Sequence, residues 1–175
     1  DKKGRSITLR PEGTAGIARA YVENKMYAWP EKLTKVYYMG PMFRYERPQS
    51  GRQRQFHQFG VEMLGVESPY VDVECMLMAL TVVKALDIKD VTLHINSLGD
   101  DASREAYRTA LKDHFRPHLH ELCEDCNDRF EKNPLRILDC KVDHEHPSMA
   151  SAPKTIDYLS EEAKAHFDKV CQLLD

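Results

Sequence analysis

Apolar positions along this chain change their spacing several times, and each change marks an element. Residues 5–9 read as the end of a short strand, broken by the Pro and Gly of Arg10-Pro11-Glu12-Gly13. Thr14 is then placed to cap a helix over 15–27, with Ile17, Ala18, Tyr21 and Val22 on one face and Trp29-Pro30 as its stop. Residues 35–44 and 55–64 are rich in β-branched and aromatic side chains, which predicts two antiparallel strands joined by a polar loop. Ser68 followed by Pro69 opens a helix whose Val71, Cys75, Met78, Ala79, Val82 and Leu86 recur at helical spacing, with the Met and Leu run at 76–80 as core. Positions 91–95 alternate like a strand, 102–115 read as a helix, and Ser160-Glu161-Glu162 opens a last amphipathic helix carrying Leu159, Ala163, Phe167, Val170 and Leu174. Strands and helices mixed with an antiparallel hairpin predict an α+β fold, its sheet flanked by helices. The pattern shifts near residue 101, so residues 1–100 and 101–175 read as two domains, the second mostly helical.

Composition adds exclusions. The 175 residues are 42% apolar and 30% charged, an ordinary globular balance that excludes disorder and collagen-like repeats. No apolar run reaches the ~20 residues that cross a bilayer, so no membrane association is expected. Five Cys at uneven spacing fit reduced thiols, and with no signal-peptide pattern the expected compartment is the cytoplasm. The opening Asp-Lys-Lys-Gly, without an initiator Met, suggests a piece cut from something longer. Net charge is only -3, yet residues 1–65 carry 12 basic and 6 acidic side chains while the remainder carry 13 and 22. The basic excess concentrates in Arg44, Arg47, Arg52 and Arg54, and Arg in place of Lys favours bidentate phosphate contacts over a merely solvated loop.

Candidate chemistry gathers on the hairpin. An Arg at the end of a strand, such as Arg44, is aimed by a rigid scaffold, and Arg52 and Arg54 reach across the turn containing Gly51. On the returning strand Phe56, Gln58, Gly60 and Glu62 share one face by the two-residue period, combining an aromatic ring with two polar anchors. The same pattern equally fits a packed ring with two solvent-facing polar groups. Separately, Cys123, Cys126, Cys140 and His144 form a C-x2-C-x13-C-x3-H string compatible with tetrahedral zinc. Cys123 reads as lying inside a helix, however, and thiols also pack as small apolar groups, so no metal ligand is assigned on spacing alone.

The run at 43–62, Phe43-Arg44-Tyr45-Glu46-Arg47-Pro48 through Gly51-Arg52-Gln53-Arg54-Gln55-Phe56-His57-Gln58-Phe59-Gly60-Val61-Glu62, resembles motif 2 of class II aminoacyl-tRNA synthetases in its histidyl form. Thr8-Leu9-Arg10-Pro11-Glu12-Gly13-Thr14-Ala15 resembles the histidyl enzymes' amino-acid loop. Ile95-Asn96-Ser97-Leu98-Gly99 and Asn133-Pro134-Leu135-Arg136-Ile137-Leu138-Asp139-Cys140-Lys141 resemble the same family, so the likeness runs over essentially the whole chain. It implies a partial class II catalytic core with an incomplete insertion domain after residue 100. It further implies that Glu12, Gly13, Thr14 and Gln58 hold the α-amino end of histidine and that Glu62 bonds the imidazole. Arg44 would grip the α-phosphate of ATP as the catalytic residue, Glu46 would lie beside the adenine, Arg52 would reach the terminal phosphates and Phe56 would stack on the base. The implied reaction activates histidine with ATP and Mg²⁺ to histidyl-adenylate and transfers it to tRNA(His), whose acceptor end would meet the loop between Arg47 and Arg54.

No segment resembles the family's motif 1, motif 3, second histidine-specific run or anticodon-binding domain, which implies an interior piece of a homodimeric parent, inactive or very weak alone. Two readings from other classes share parts of the pattern. A regulatory paralogue would sense histidine without needing the ATP clamp, and a non-catalytic module would bind tRNA with steep salt dependence but without linkage to histidine or ATP.

Overall fold

The structure is a computed structural model describing residues 4, 6–47 and 49–175. It divides into two compact units, 1–88 and 89–175.

In the first unit, α1 (Thr14–Glu23) precedes strands β1 (Thr34–Phe43) and β2 (Gln55–Leu64), and α2 (Pro69–Ala85) follows them. The strands pair antiparallel along their full length, from Thr34 opposite Leu64 to Phe43 opposite Gln55. Directly opposed residues point to one face, so Val36, Tyr38, Gly40 and Met42 share a face with Glu62, Gly60, Gln58 and Phe56. The hairpin thus forms as the residue pattern predicts, and both helices touch β2.

Several local expectations are corrected. Residues 6–9 form no strand, and Arg5 lies outside the described residues. Residues 91–95 form no strand either. A strand needs partners for its backbone N–H and C=O groups, and the only ladder among the described residues joins β1 to β2. The first helix stops at Glu23, and after Lys25 in the left-handed region only a 3-10 turn spans Met26–Ala28. Thr14 is not its cap. Gly13 holds that position, and the Glu12 carboxylate accepts the Ala15 N–H at 3.1 and 3.2 Å.

The second helix is capped by Ser68 as expected, and Val71, Cys75 and Val82 are half-buried as predicted, but Val73, Met76, Leu80 and Val83 pack as well. Leu77, Met78 and Leu86 are exposed instead. Apolar residues surround this helix, so spacing alone does not select a face.

In the second unit, α3 (Asp101–Phe115), α4 (Glu124–Lys132), the single turn α5 (Pro147–Ala150) and α6 (Glu161–Leu174) are joined by 3-10 turns. Tyr107, Leu111 and Phe115, one turn apart on α3, pack with Leu122, Cys126, Phe130, Ile137 and Cys140 into its core. Asp100 and Ser160 cap α3 and α6 and are tied together: Ser160 Oγ donates to Asp100 Oδ2 at 2.5 Å, and the Ser160 N–H donates to Ser103 Oγ at 2.8 Å.

Candidate functional site

The loop at 10–13 docks against the hairpin end through three bonds. Phe43 N–H donates to Arg10 O (2.9 Å), Arg10 Nε to Pro41 O (2.8 Å) and Arg44 Nε to Pro11 O (3.1 Å). Arg44 lies one residue beyond β1, yet its N–H still bonds Arg54 O at 2.9 Å, so the ladder holds its backbone. Its guanidinium sits over the Phe56 ring, 5.1 Å from the centroid, in the range of a cation–π contact.

Beyond Arg44 the chain folds back on itself. Gln49 and Arg52 exchange backbone bonds of 2.9 and 3.2 Å, Arg52 pairs with Glu46 at 3.4 Å, and Arg54 donates to Glu46 O while lying 4.8 Å over the Tyr45 ring. Pro48, inside the expected tRNA-facing loop, lies outside the described residues. Arg44, Glu46, Gly51, Arg52, Gln53 and Phe56 line an open cleft of about 450 Å³. All four residues that the resemblance assigns to ATP therefore line one cleft, and that volume falls within the ~300–1,000 Å³ usual for small-ligand sites.

Along the same sheet face stand the residues expected to meet the amino acid. Thr14 Oγ1 donates to Glu62 Oε1 at 2.6 Å, joining the start of α1 to β2. The Gln58 side-chain carbonyl is shielded from solvent and has no hydrogen-bond partner among the described residues. A shielded acceptor without a donor costs roughly 1–3 kcal/mol, which a ligand N–H would recover.

Reasoning from the sequence missed Tyr38 and Gly40, and named Gly13 and Gly60 without the close approach that each makes to Tyr38. A Cβ on Gly13 or Gly60 would come 2.3 or 2.4 Å from the Tyr38 ring, and one on Gly40 would meet the Arg10 guanidinium at 2.6 Å. Glycine inside a strand is itself a sign of close approach, so Gly40 and Gly60 were the available signal. Burial, then the charges of Glu62, Asp72 and Glu74, push the Cys75 thiol up.

In the second unit the Cys-His string noted in the sequence is only partly assembled. Cys123 is the N-cap of α4, just outside the helix, and Cys126 sits in its first turn. Cys140 joins them, but Asp143 replaces His144, whose Nδ1 bonds Lys141 O at 2.9 Å. The 3-10 turn Pro134–Ile137 and the turns after it orient these residues, and sequence spacing carries no such information. Burial alone would raise the Asp143 carboxyl, but hydrogen bonds from Cys126, Cys123 and the Cys123 backbone N–H overcome it and hold it at about 2.

The sequence profile of the family described as "Histidyl-tRNA synthetase" matches residues 1–174. A histidine–tRNA ligase of Oceanobacillus iheyensis is 57% identical over all 175 residues, which cover 41% of that protein. One of Geobacillus thermodenitrificans is 58% identical over 174 residues, or 99% of this chain and 41% of the relative. The crystal structure of apo S. aureus histidyl-tRNA synthetase superposes over the whole chain with a TM-score of 0.78 at 46% identity, covering 40% of that protein. The chain thus spans about two fifths of the length of the proteins it matches.

Proposed function

The chain belongs to the histidyl-tRNA synthetase family, with the α+β architecture of the class II synthetase fold, and from that premise we propose that its hairpin face is the adenylate-forming site of a histidine–tRNA ligase. The observation that carries the proposal is the shielded, unpartnered carbonyl of Gln58, on the same sheet face as Glu62 and Phe56. An α-ammonium is a donor suited to Gln58, with Glu12, Gly13 and Thr14 beside it at the start of α1. Thr14 already bonds Glu62 Oε1, so Oε2 is the oxygen that would receive an imidazole N–H.

Histidine's carboxylate is ionised at neutral pH and attacks the α-phosphorus of ATP without a general base, expelling pyrophosphate. What the step requires of the protein is alignment and neutralisation of charge on the phosphoryl oxygens. Arg44 suits that role because its Nε is tied to Pro11 O, leaving the terminal amino groups of the guanidinium for the α-phosphate. Arg52 would exchange Glu46 for the terminal phosphates, while Phe56 and Glu46 would bracket the adenine. The cleft offers Mg²⁺ one carboxylate, Glu46, so the ion would take most of its oxygens from the triphosphate and would supply further charge neutralisation there.

The same reading gives the 44–54 loop to the acceptor end of tRNA(His), residues 101–175 to an insertion domain, and the parent protein to a homodimer in the cytoplasm. No described helix is long and apolar enough to cross a membrane.

Calorimetric titration with a non-hydrolysable histidyl-adenylate analogue, and the alanyl analogue as control, tests the site. The histidyl analogue is expected to bind in preference. Arg44→Ala and Glu62→Ala are each expected to weaken it by about 10- to 100-fold, the worth of a charged hydrogen bond. Equal binding of both analogues, or indifference to both substitutions, overturns the reading.

A further inference from the structure

We propose that Cys123, Cys126, Cys140 and Asp143 form a tetrahedral site for one thiophilic divalent cation of the zinc class, independent of the adenylate-forming face. Their four ligand atoms all lie within 4.8 Å of one another, the only such group among the described residues. Two of the spacings match the ion closely. A tetrahedral centre with Zn–S of about 2.3 Å and Zn–O of about 2.0 Å sets S···S near 3.8 Å and S···O near 3.5 Å. Cys123 Sγ lies 3.7 Å from Cys140 Sγ, and Cys140 Sγ lies 3.5 Å from Asp143 Oδ2. A disulfide needs sulfurs about 2.05 Å apart, so the pair is spaced for a shared ion and not for a covalent bond.

The backbone also supplies donors to the cluster. The Asp143 N–H donates to Cys140 Sγ at 3.4 Å. The Cys123 N–H donates to Asp143 Oδ2 at 3.1 Å and fixes the carboxylate against the cluster. Such outer contacts orient ligands and offset their charge.

The set also differs in kind from surface carboxylates that gather without an ion. Cys126 and Cys140 are buried, and the ligands join the start of α4 to a turn 17 residues from Cys123. Three sulfurs and one oxygen in a tetrahedral arrangement select zinc over the hard, oxygen-preferring cations. Binding releases the three thiol protons to solvent and stabilises the second unit, because the unfolded chain holds no preformed site.

The test is anaerobic titration of the reduced, metal-free full chain with Co²⁺, followed by displacement with Zn²⁺. Near-ultraviolet thiolate-to-cobalt charge transfer and intense tetrahedral visible bands are expected, saturating at about one ion per chain and vanishing on addition of Zn²⁺. Asp143→Asn should keep charge transfer, shift the visible bands and weaken Co²⁺ by about tenfold or more. His144→Ala should change nothing. Loss of His144 acting like loss of Asp143 would overturn the assigned set. Should Asp143→Asn fail to fold, the wild-type chain decides alone: Zn²⁺ is expected to raise its thermal midpoint and a chelator to reverse the gain. A weak octahedral cobalt spectrum, binding that does not saturate, or an unmoved midpoint overturns the site.

Discussion

Tyr38 lies in a slot that two glycines keep open, with the Gly60 backbone beneath its ring and the Gly13 backbone beside it. A methyl at position 60 enters the ring, and ring atoms held by their neighbours give way only at a cost. Gly60→Ala is expected to destabilise the chain by about 1–3 kcal/mol, as overpacking does, and to lower affinity for the histidyl-adenylate analogue. Urea unfolding checks the first effect and titration the second. Tyr38→Leu in the Gly60→Ala background should recover part of the stability, and an additive double mutant would refute the clash. At this scale the sequence was informative about which residues share a face and uninformative about their partners. Phe56, Gln58 and Glu62 align by strand period, as read. That Thr14 serves Glu62, with Gly13 as the cap of α1, depends on a contact between segments, which local spacing does not encode.

Elements begin where a side chain satisfies the first free backbone N–H groups, which is why Ser68 and Ser160 were legible as helix starts. Asp100 does more than cap. Bonding to the Ser160 hydroxyl, then to the Ser103 N–H and hydroxyl, holds its carboxyl at about 2 against an ordinary 3.8. A carboxyl lowered in the folded state stabilises fully above its unfolded value, and that contribution is lost as pH falls from 3.8 toward 2. Asp100→Asn should therefore lower stability at neutral pH and flatten the decline over that acidic window, read as urea midpoints at successive pH values. Parallel curves for the two proteins would contradict it.

The bond between β1 and α2 behaves differently. Lys35 Nζ meets both Glu74 oxygens at 2.5 and 2.7 Å, but the two side chains are 48% and 45% exposed. Water and salt screen such pairs, so Lys35→Met should change stability by less than about 1 kcal/mol, and by less still at high salt. The packed face of α2 was only partly legible: Val71, Cys75 and Val82 were read correctly and Val73 was not, since a helix with apolar residues on every side shows its partner only through contact.

For the whole molecule, burial is uneven. Among the described residues the first unit buries only Met42 and Val73 as apolar side chains, whereas the second encloses an eight-residue cluster. Amide exchange should accordingly be slowest at Tyr107, Leu111 and Phe115 on α3 and fast along α1, where no residue is buried. Mass-spectrometric exchange checks the order, and an α1 protected as strongly as α3 would refute it. The two strand readings that failed, at 6–9 and 91–95, failed for a reason of this scale: a local pattern shows that a segment is suited to a sheet, but only a neighbouring strand makes it part of one. The tie between Asp100, Ser103 and Ser160 also acts at this scale. It joins positions 57 and 60 residues apart, whereas the outermost hairpin pair is Thr34 with Leu64. As the chain leaves a ribosome from its N-terminus, the hairpin can zip while the later helices are still being made. Asp100 Oδ2 waits for its hydroxyl donor until Ser160 emerges, so the order of synthesis makes the second unit close after the hairpin.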